Sequence, residues 1–329
     1  MRDRVLAGLL VVPFVMGAAA APARPGDVAF IFTDPQIVES SGLVARDGLF
    51  VTTNDSGDSG RVFTVDPADG DTVGVTSWSQ DPTDVEALAP AGRGAVWVGD
   101  IGDNTIERDS VRVARVPVGR GDRAADVPTY DLTYPDRPVN AETLLSDPTT
   151  GRLYVATKNV FGGTLLAAPA RLRTDGPNRL RPLGPVLPIA TDGAFFPDGR
   201  HVILRDYSQA VVYTFPGLEE VGSFRLPDQD QGEGIAVDES GAVFVSSEGQ
   251  REPVLEVRLP ADVRRAVGPE RPAVSPSASP SATGSADRRG TPAPDPVERP
   301  AWPWFLTGWL ALGGLVLVAR WLGRRPSGR

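Results

Sequence analysis

The chain has 329 residues, with 33 Lys and Arg against 42 Asp and Glu and a formal net charge of −9. That length can build one large core, and the acidity argues against a phosphate-reading surface, so nucleic acid is not an expected partner. With no cysteine and one histidine, His201, disulfides, thiolate zinc and a cysteine nucleophile are excluded, a Ser-His-Asp triad or multi-histidine metal site is disfavoured, and any metal must rest on oxygen ligands.

In chain order, Arg2 and Arg4 precede an apolar run from Val5 to Met16, then small residues to Ala23. This is the three-part pattern of an export signal over residues 1–23. Val28 to Phe32 then reads as a strand.

From there to residue 268 one pattern recurs five times. It begins at Ser41, Glu86, Glu142, Asp192 and Glu233, at intervals of 45, 56, 50 and 41 residues. Each start opens an apolar run, then a turn, then a second run such as Leu49-Phe50-Val51 or Val243-Phe244-Val245. Such periods, with several short strands per unit, predict an all-β, five-bladed β-propeller over 24–268. Six blades is the alternative if the long second unit holds another. The fifth unit lacks one strand, which Val28 to Phe32 can supply, so that both chain ends close one blade.

Blade topology puts the D-to-A and B-to-C connections on one face. The predicted residues there are the five unit starts and the B-to-C loops. Those loops carry Asn54, Asp55, Ser56 and Asp58, then Asp100, Asp103 and Asn104, then Lys158, Arg205 and Asp206, and Glu248. Four of the five starts are carboxylates. Their mutual repulsion calls for a cation, for protonation, or for Lys158 and Arg205. Calcium wants six to eight oxygens, which makes Glu86, Glu142, Asp192, Glu233, Asp100 and Asp55 the candidate ligands. Asn54-x-Ser56-x-Asp58 loosely fits a calcium loop, and ordinary turn chemistry fits it equally. His201 falls on the opposite face as a surface residue.

Pro269 to Pro300, rich in Pro, Ser and Ala, reads as a disordered stalk. Trp302 to Ala319 has no charged residue and at ~1.5 Å per residue spans ~27 Å, which predicts a transmembrane helix over 301–320. Arg320, Arg324, Arg325 and Arg329 place the 321–329 tail in the cytoplasm. The start carries +1, the tail +4 and the linker zero, which leaves −14 for residues 24–268.

The stretch from Glu233-Gly234-Ile235-Ala236 to Ser246-Ser247-Glu248 resembles blades of the β-propeller phytases and of the propellers with esterase-like activity of phytase. Phe50 to Asn54 is similar to another such blade, and senescence-marker/gluconolactonase propellers share the Glu-Gly start. The resemblance implies calcium-dependent hydrolysis of phosphoesters or lactones, with Glu233 and Glu248 as ligands or bases and Lys158 and Arg205 holding an anionic substrate. The residues taken alone favour a membrane-anchored, cell-surface binding module, calcium-associated, for an external small molecule or protein. The hydrolase is the alternative, and assembly, with the acidic disc docking a cationic protein partner, is a third.

Overall fold

Twenty-two strands make up nearly all the regular structure of the described residues, 26–55 and 57–268 of a computed structural model. They form five sheets, each built on four antiparallel strands that make one propeller blade. Blade 1 is β2 (Ser40–Arg46), β3 (Leu49–Asn54), β4 (Arg61–Val65) and β5 (Thr72–Ser77). Blade 2 is β6 (Val85–Pro90), β7 (Ala95–Asp100), β8 (Val111–Pro117) and β10 (Thr129–Thr133). Blade 3 is β11 (Ala141–Ser146), β12 (Leu153–Thr157), β13 (Gly163–Ala167) and β15 (Arg181–Val186). Blade 4 is β16 (Asp192–Phe195), β17 (His201–Arg205), β18 (Gln209–Thr214) and β19 (Glu220–Arg225). Blade 5 is β20 (Gly232–Val237), β21 (Val243–Ser247) and β22 (Pro253–Val257), completed by the N-terminal β1 (Asp27–Ile31). The inner strands β2, β6, β11, β16 and β20 touch one another in a closed cycle.

The expected clasp is therefore present: β1 pairs antiparallel with β22, and Arg258 Nε donates to Asp27 Oδ2 at 2.9 Å beside it. Five buried clusters, one between each pair of neighbouring blades, hold the ring. Inner strands feed two clusters at once, because successive side chains point to opposite sheet faces. Leu144 packs between blades 2 and 3, and its neighbour Leu145 between blades 3 and 4. This explains why these strands read as continuous apolar runs.

The long second unit holds no sixth blade. Its extra residues form β9 (Arg123–Ala124), which pairs parallel with β5 of the preceding blade. The third unit does the same with β14 (Asn178–Arg179) against β10. Both additions cover an outer edge that would otherwise expose unpaired backbone groups. Asn178 is 1% exposed, and its Nδ2 donates to Asp131 O and Arg173 O, each at 3.0 Å. A short helix, α1 (Ala261–Val267), was not expected from the pattern. It buries Val263 against β19, where a Cβ on Gly222 would meet Val263 Cγ2 at 2.9 Å.

Strand direction alternates, so β1 enters and β22 leaves on the face of the A-to-B hairpins. Gly268 shares a groove there with Asp198 and with Glu239 to Ala242 of two such hairpins. Both ends of the described chain thus lie opposite the face of the predicted site. His201 also falls on that side, half-buried, with Nδ1 2.6 Å from Asp198 Oδ2. Among the described residues no helix is long and apolar enough to cross a membrane. The expected signal (1–23), stalk (269–300), transmembrane helix (301–320) and tail (321–329) lie outside the described residues.

Candidate functional site: a carboxylate-lined pore mouth

The inner strands begin with a β-bulge in four of the five blades. The register slips between Ser40 and Gly42, between Val85 and Ala87, between Ala141 and Thr143, and between Gly232 and Ile235. The extra residues are Ser41, Glu86, Glu142 and the Glu233–Gly234 pair. A bulge re-aims one side chain and leaves the rest of the strand in place, and the bulged Ser41, Glu86 and Glu233 meet across three blades. Backbones crowd at this level: a Cβ on Gly42 would lie 2.6 Å from Leu88 N. β16 has no bulge, and Asp192 pairs directly with Arg205.

Glu86, Glu142 and Glu233 are 4%, 3% and 6% exposed. Ser41 Oγ lies 3.5 Å from Glu86 Oε2 and 3.3 Å from Glu233 Oε2, joining three blades. Glu248, from the β21–β22 loop, lies close enough to Glu233 for that carboxylate to raise its pKa. Asp55, from the β3–β4 loop, and Asp84, just before β6, bring carboxylate oxygens within 4.8 Å of each other and of Glu86. Lys158 Nζ donates to Glu142 Oε1 and to the Tyr207 hydroxyl, each at 2.7 Å. Asn140 braces this side: its Nδ2 donates to Glu142 Oε1 at 3.3 Å, its Oδ1 accepts Asp103 N–H at 2.8 Å, and its carbonyl accepts Lys158 N–H at 2.9 Å.

Burial and mutual repulsion make the carboxyls hold their protons. Burial first, then Glu142, Asp55, Asp84 and Glu233, push Glu86 up to about 10. Burial raises Glu142 to about 7 even with Lys158 opposing. Burial and then Glu233 raise Glu248 to about 8, and burial followed by Asp55 raises Asp84 to about 6. Burial alone would lower Lys158, but the Glu142 charge and hydrogen bond outweigh it, so the ammonium stays charged.

Of the residues singled out from sequence, Asp55, Glu86, Glu142, Lys158, Glu233 and Glu248 come together at this mouth. Asp100 instead caps its own loop: Oδ1 accepts Asp84 N–H at 3.0 Å and Arg108 Nη2 at 2.8 Å, and Oδ2 accepts Thr83 N–H at 3.2 Å. Asp192 is fully buried, and its Oδ2 accepts Ile235 N–H of the next blade at 2.8 Å. Arg205 is 0% exposed and donates to Asp206 O, Gln229 Oε1 and Gly234 O at 3.0–3.1 Å, inside the wall. In the calcium-loop-like stretch, Asn54 Nδ2 donates to Gln36 O and to Asp58 Oδ2, and Asp58 also takes Arg61 Nε at 2.8 Å. Those two side chains build the turn. Asp84, Asn140 and Tyr207 belong to the site without having been singled out. Asp84 was readable from its place, because it ends the D-to-A connection that leads into β6 on this face.

No protein-family model matches the chain, and no curated protein does. A solved structure titled "Crystal structure of Nidogen/Laminin Complex" matches with a TM-score of 0.40 and 16% identity, over 64% of this chain and 73% of that one.

Proposed function

We propose that this chain is an exported, membrane-anchored propeller that binds ligands at its acidic pore mouth, with calcium held by Asp55, Asp84 and Glu86. The supporting observation is the convergence of those three oxygen donors within 4.8 Å. Calcium–oxygen distances of about 2.3–2.6 Å let one ion touch donors that far apart, and the donor set is all hard oxygen. Glu142 and Glu248 both lie near enough to Glu233 to feel its charge, so the three form a second arc of acceptors. An ion would replace protons that the buried carboxyls otherwise retain. The export signal, the Pro/Ser-rich stalk and the apolar C-terminal segment motivate the surface location.

The test is calorimetric titration of the full chain with calcium at pH 7.5, beside Glu86→Gln. Saturable heat that the substitution removes supports the reading; no heat with the wild type overturns it.

A second reading, calcium-dependent hydrolysis of phosphoesters or lactones, draws on Glu248, which burial and the neighbouring Glu233 raise to about 8, a value suited to a general acid. Arg205 is committed to the wall, so Lys158 alone would meet an anionic substrate. Turnover of a phosphomonoester or lactone panel that stops with chelator, and with Glu248→Gln, would support it. No turnover in any condition leaves binding as the function.

A further inference from the structure

The mouth is flanked by apolar side chains that the fold holds out in solvent. Phe161 is 98% exposed and Val160 67%, both at the tip of the β12–β13 loop. Ile106 is 55% exposed in the β7–β8 loop, and Tyr207 39% in the β17–β18 loop. Most large apolar residues that solvent reaches in the described chain sit on this one face, on the B-to-C loops of three consecutive blades. Val28, Ile31 and Leu183 are the others, on strands.

These loops are braced. Phe161 N–H donates to Asn159 Oδ1 at 2.9 Å, and Asn159 O accepts both Gly162 N–H and Ile189 N–H at 3.2 Å. Ile106 holds a left-handed φ of 57°, rare for a β-branched residue. Asp103 fixes it there by accepting Ile106 N–H on its carbonyl and Glu107 and Arg108 N–H on its carboxylate. Asn140 ties the roots of both loops together through Asp103 N–H and Lys158 N–H. A pre-organised apolar side chain loses little freedom when a partner covers it.

We propose that this face docks a protein segment presenting a lysine or arginine flanked by apolar side chains. The basic group would enter the carboxylate mouth, and its neighbours would cover Phe161, Val160 and Ile106. Charge complementarity selects the occupant. The 24–268 region carries −14, and the mouth is lined by carboxyl oxygens that can accept from an ammonium or guanidinium, as Glu142 already accepts from Lys158 Nζ at 2.7 Å. Such a field attracts basic segments and repels an anionic lipid surface, which is the other common target of an exposed Phe. The face also lies opposite both ends of the described chain. The inference rests on reading the mouth as the working face, and it does not need calcium.

The test selects displayed random short peptides on the immobilised full chain, then measures the winning peptides by fluorescence anisotropy, with calcium and with chelator. Expected winners carry Lys or Arg beside Leu, Ile or an aromatic. Phe161→Ser should weaken them about tenfold or more while leaving calcium heat and melting temperature unchanged. Asp84→Asn, which removes a mouth carboxyl raised only to about 6 and so ionised at pH 7.5, should weaken them independently of Phe161→Ser. No enrichment, acidic winners, or affinity unmoved by Phe161→Ser would overturn the proposal. So would binding of phosphatidylserine vesicles that Phe161→Ser abolishes without any peptide binding. Loss of calcium heat with peptide binding intact would count against the calcium site alone.

Discussion

Asp192 and Arg205 face each other in register across β16 and β17, at the one inner-strand start that has no bulge. Both are fully buried. Burial raises Asp192 well above the usual carboxylate range and lowers Arg205 to about 10, while each charge partly offsets the other's shift. Hydrogen bonds to blade 5 leave both: Asp192 Oδ2 accepts Ile235 N–H, and Arg205 Nη1 donates to Gly234 O, while Arg205 Nε stays within blade 4 on Asp206 O. The pair is a brace between blades 4 and 5. Arg205→Ala should therefore cost about 3 kcal/mol or more, the usual effect of stranding a buried charge and its acceptors. Urea unfolding of the full chain measures it. A loss below about 1 kcal/mol would remove the brace from the account.

The mouth carboxyls predict an unusual pH dependence. Their folded values, about 6 for Asp84, 7 for Glu142, 8 for Glu248 and 10 for Glu86, all lie above the ordinary 3.8 or 4.5. Between the ordinary and the folded value the native state binds a proton that the unfolded chain has released. Stability is then fully present below about pH 4.5 and is lost as pH rises through each folded value. Every such proton contributes a slope of about −1.4 kcal/mol per pH unit. In chelator, the melting temperature should fall steadily from pH 5 to pH 9. Saturating calcium should flatten that fall, because the ion takes over from the protons. A melting temperature that climbs with pH in chelator would contradict the protonated mouth.

Glu86→Gln isolates the largest of these shifts. Glutamine matches the shape of the protonated acid and has nothing to titrate, so the cost of proton uptake on folding disappears. Metal-free stability at pH 8 should rise by about 1–3 kcal/mol, with no gain at pH 4.5. Calcium stabilisation should vanish in the same variant. Paired denaturant curves at the two pH values check it, and equal effects at both would mean that Glu86 is not held protonated.

The blade count, the clasp and the face on which the unit starts and B-to-C loops gather were legible in sequence, because repeats and strand alternation report topology directly. Position within the repeat did not report side-chain direction. Asp192 occupies the same place in its repeat as Glu86 and Glu142, yet β16 begins without their bulge and the Asp192 carboxylate is taken up by Ile235 N–H of the next blade. A bulge is one residue of register, which apolar alternation in so short a strand does not reveal. Arg205 read as a substrate-holding cation, since sequence gives charge and loop position but not the carbonyls that consume its donors. The edge strands β9 and β14 escaped notice because two residues of pairing leave no periodic trace.

Closure by β1 gives the last prediction. Phe32 is 0% exposed and meets Phe30 edge-on at 5.4 Å, within the cluster that joins blades 5 and 1. Ile31, between them, is 49% exposed. Phe32→Ala should cost about 3–5 kcal/mol, and Ile31→Ala about 0.5 kcal/mol or less. The Asp27–Arg258 pair beside them is solvent-exposed, so Asp27→Ala should leave the midpoint where it is. Urea midpoints at constant slope separate the three. A Phe32 variant as stable as the Ile31 variant would mean that the ring is held by the other four inter-blade clusters, with the N-terminal strand merely resting on its edge.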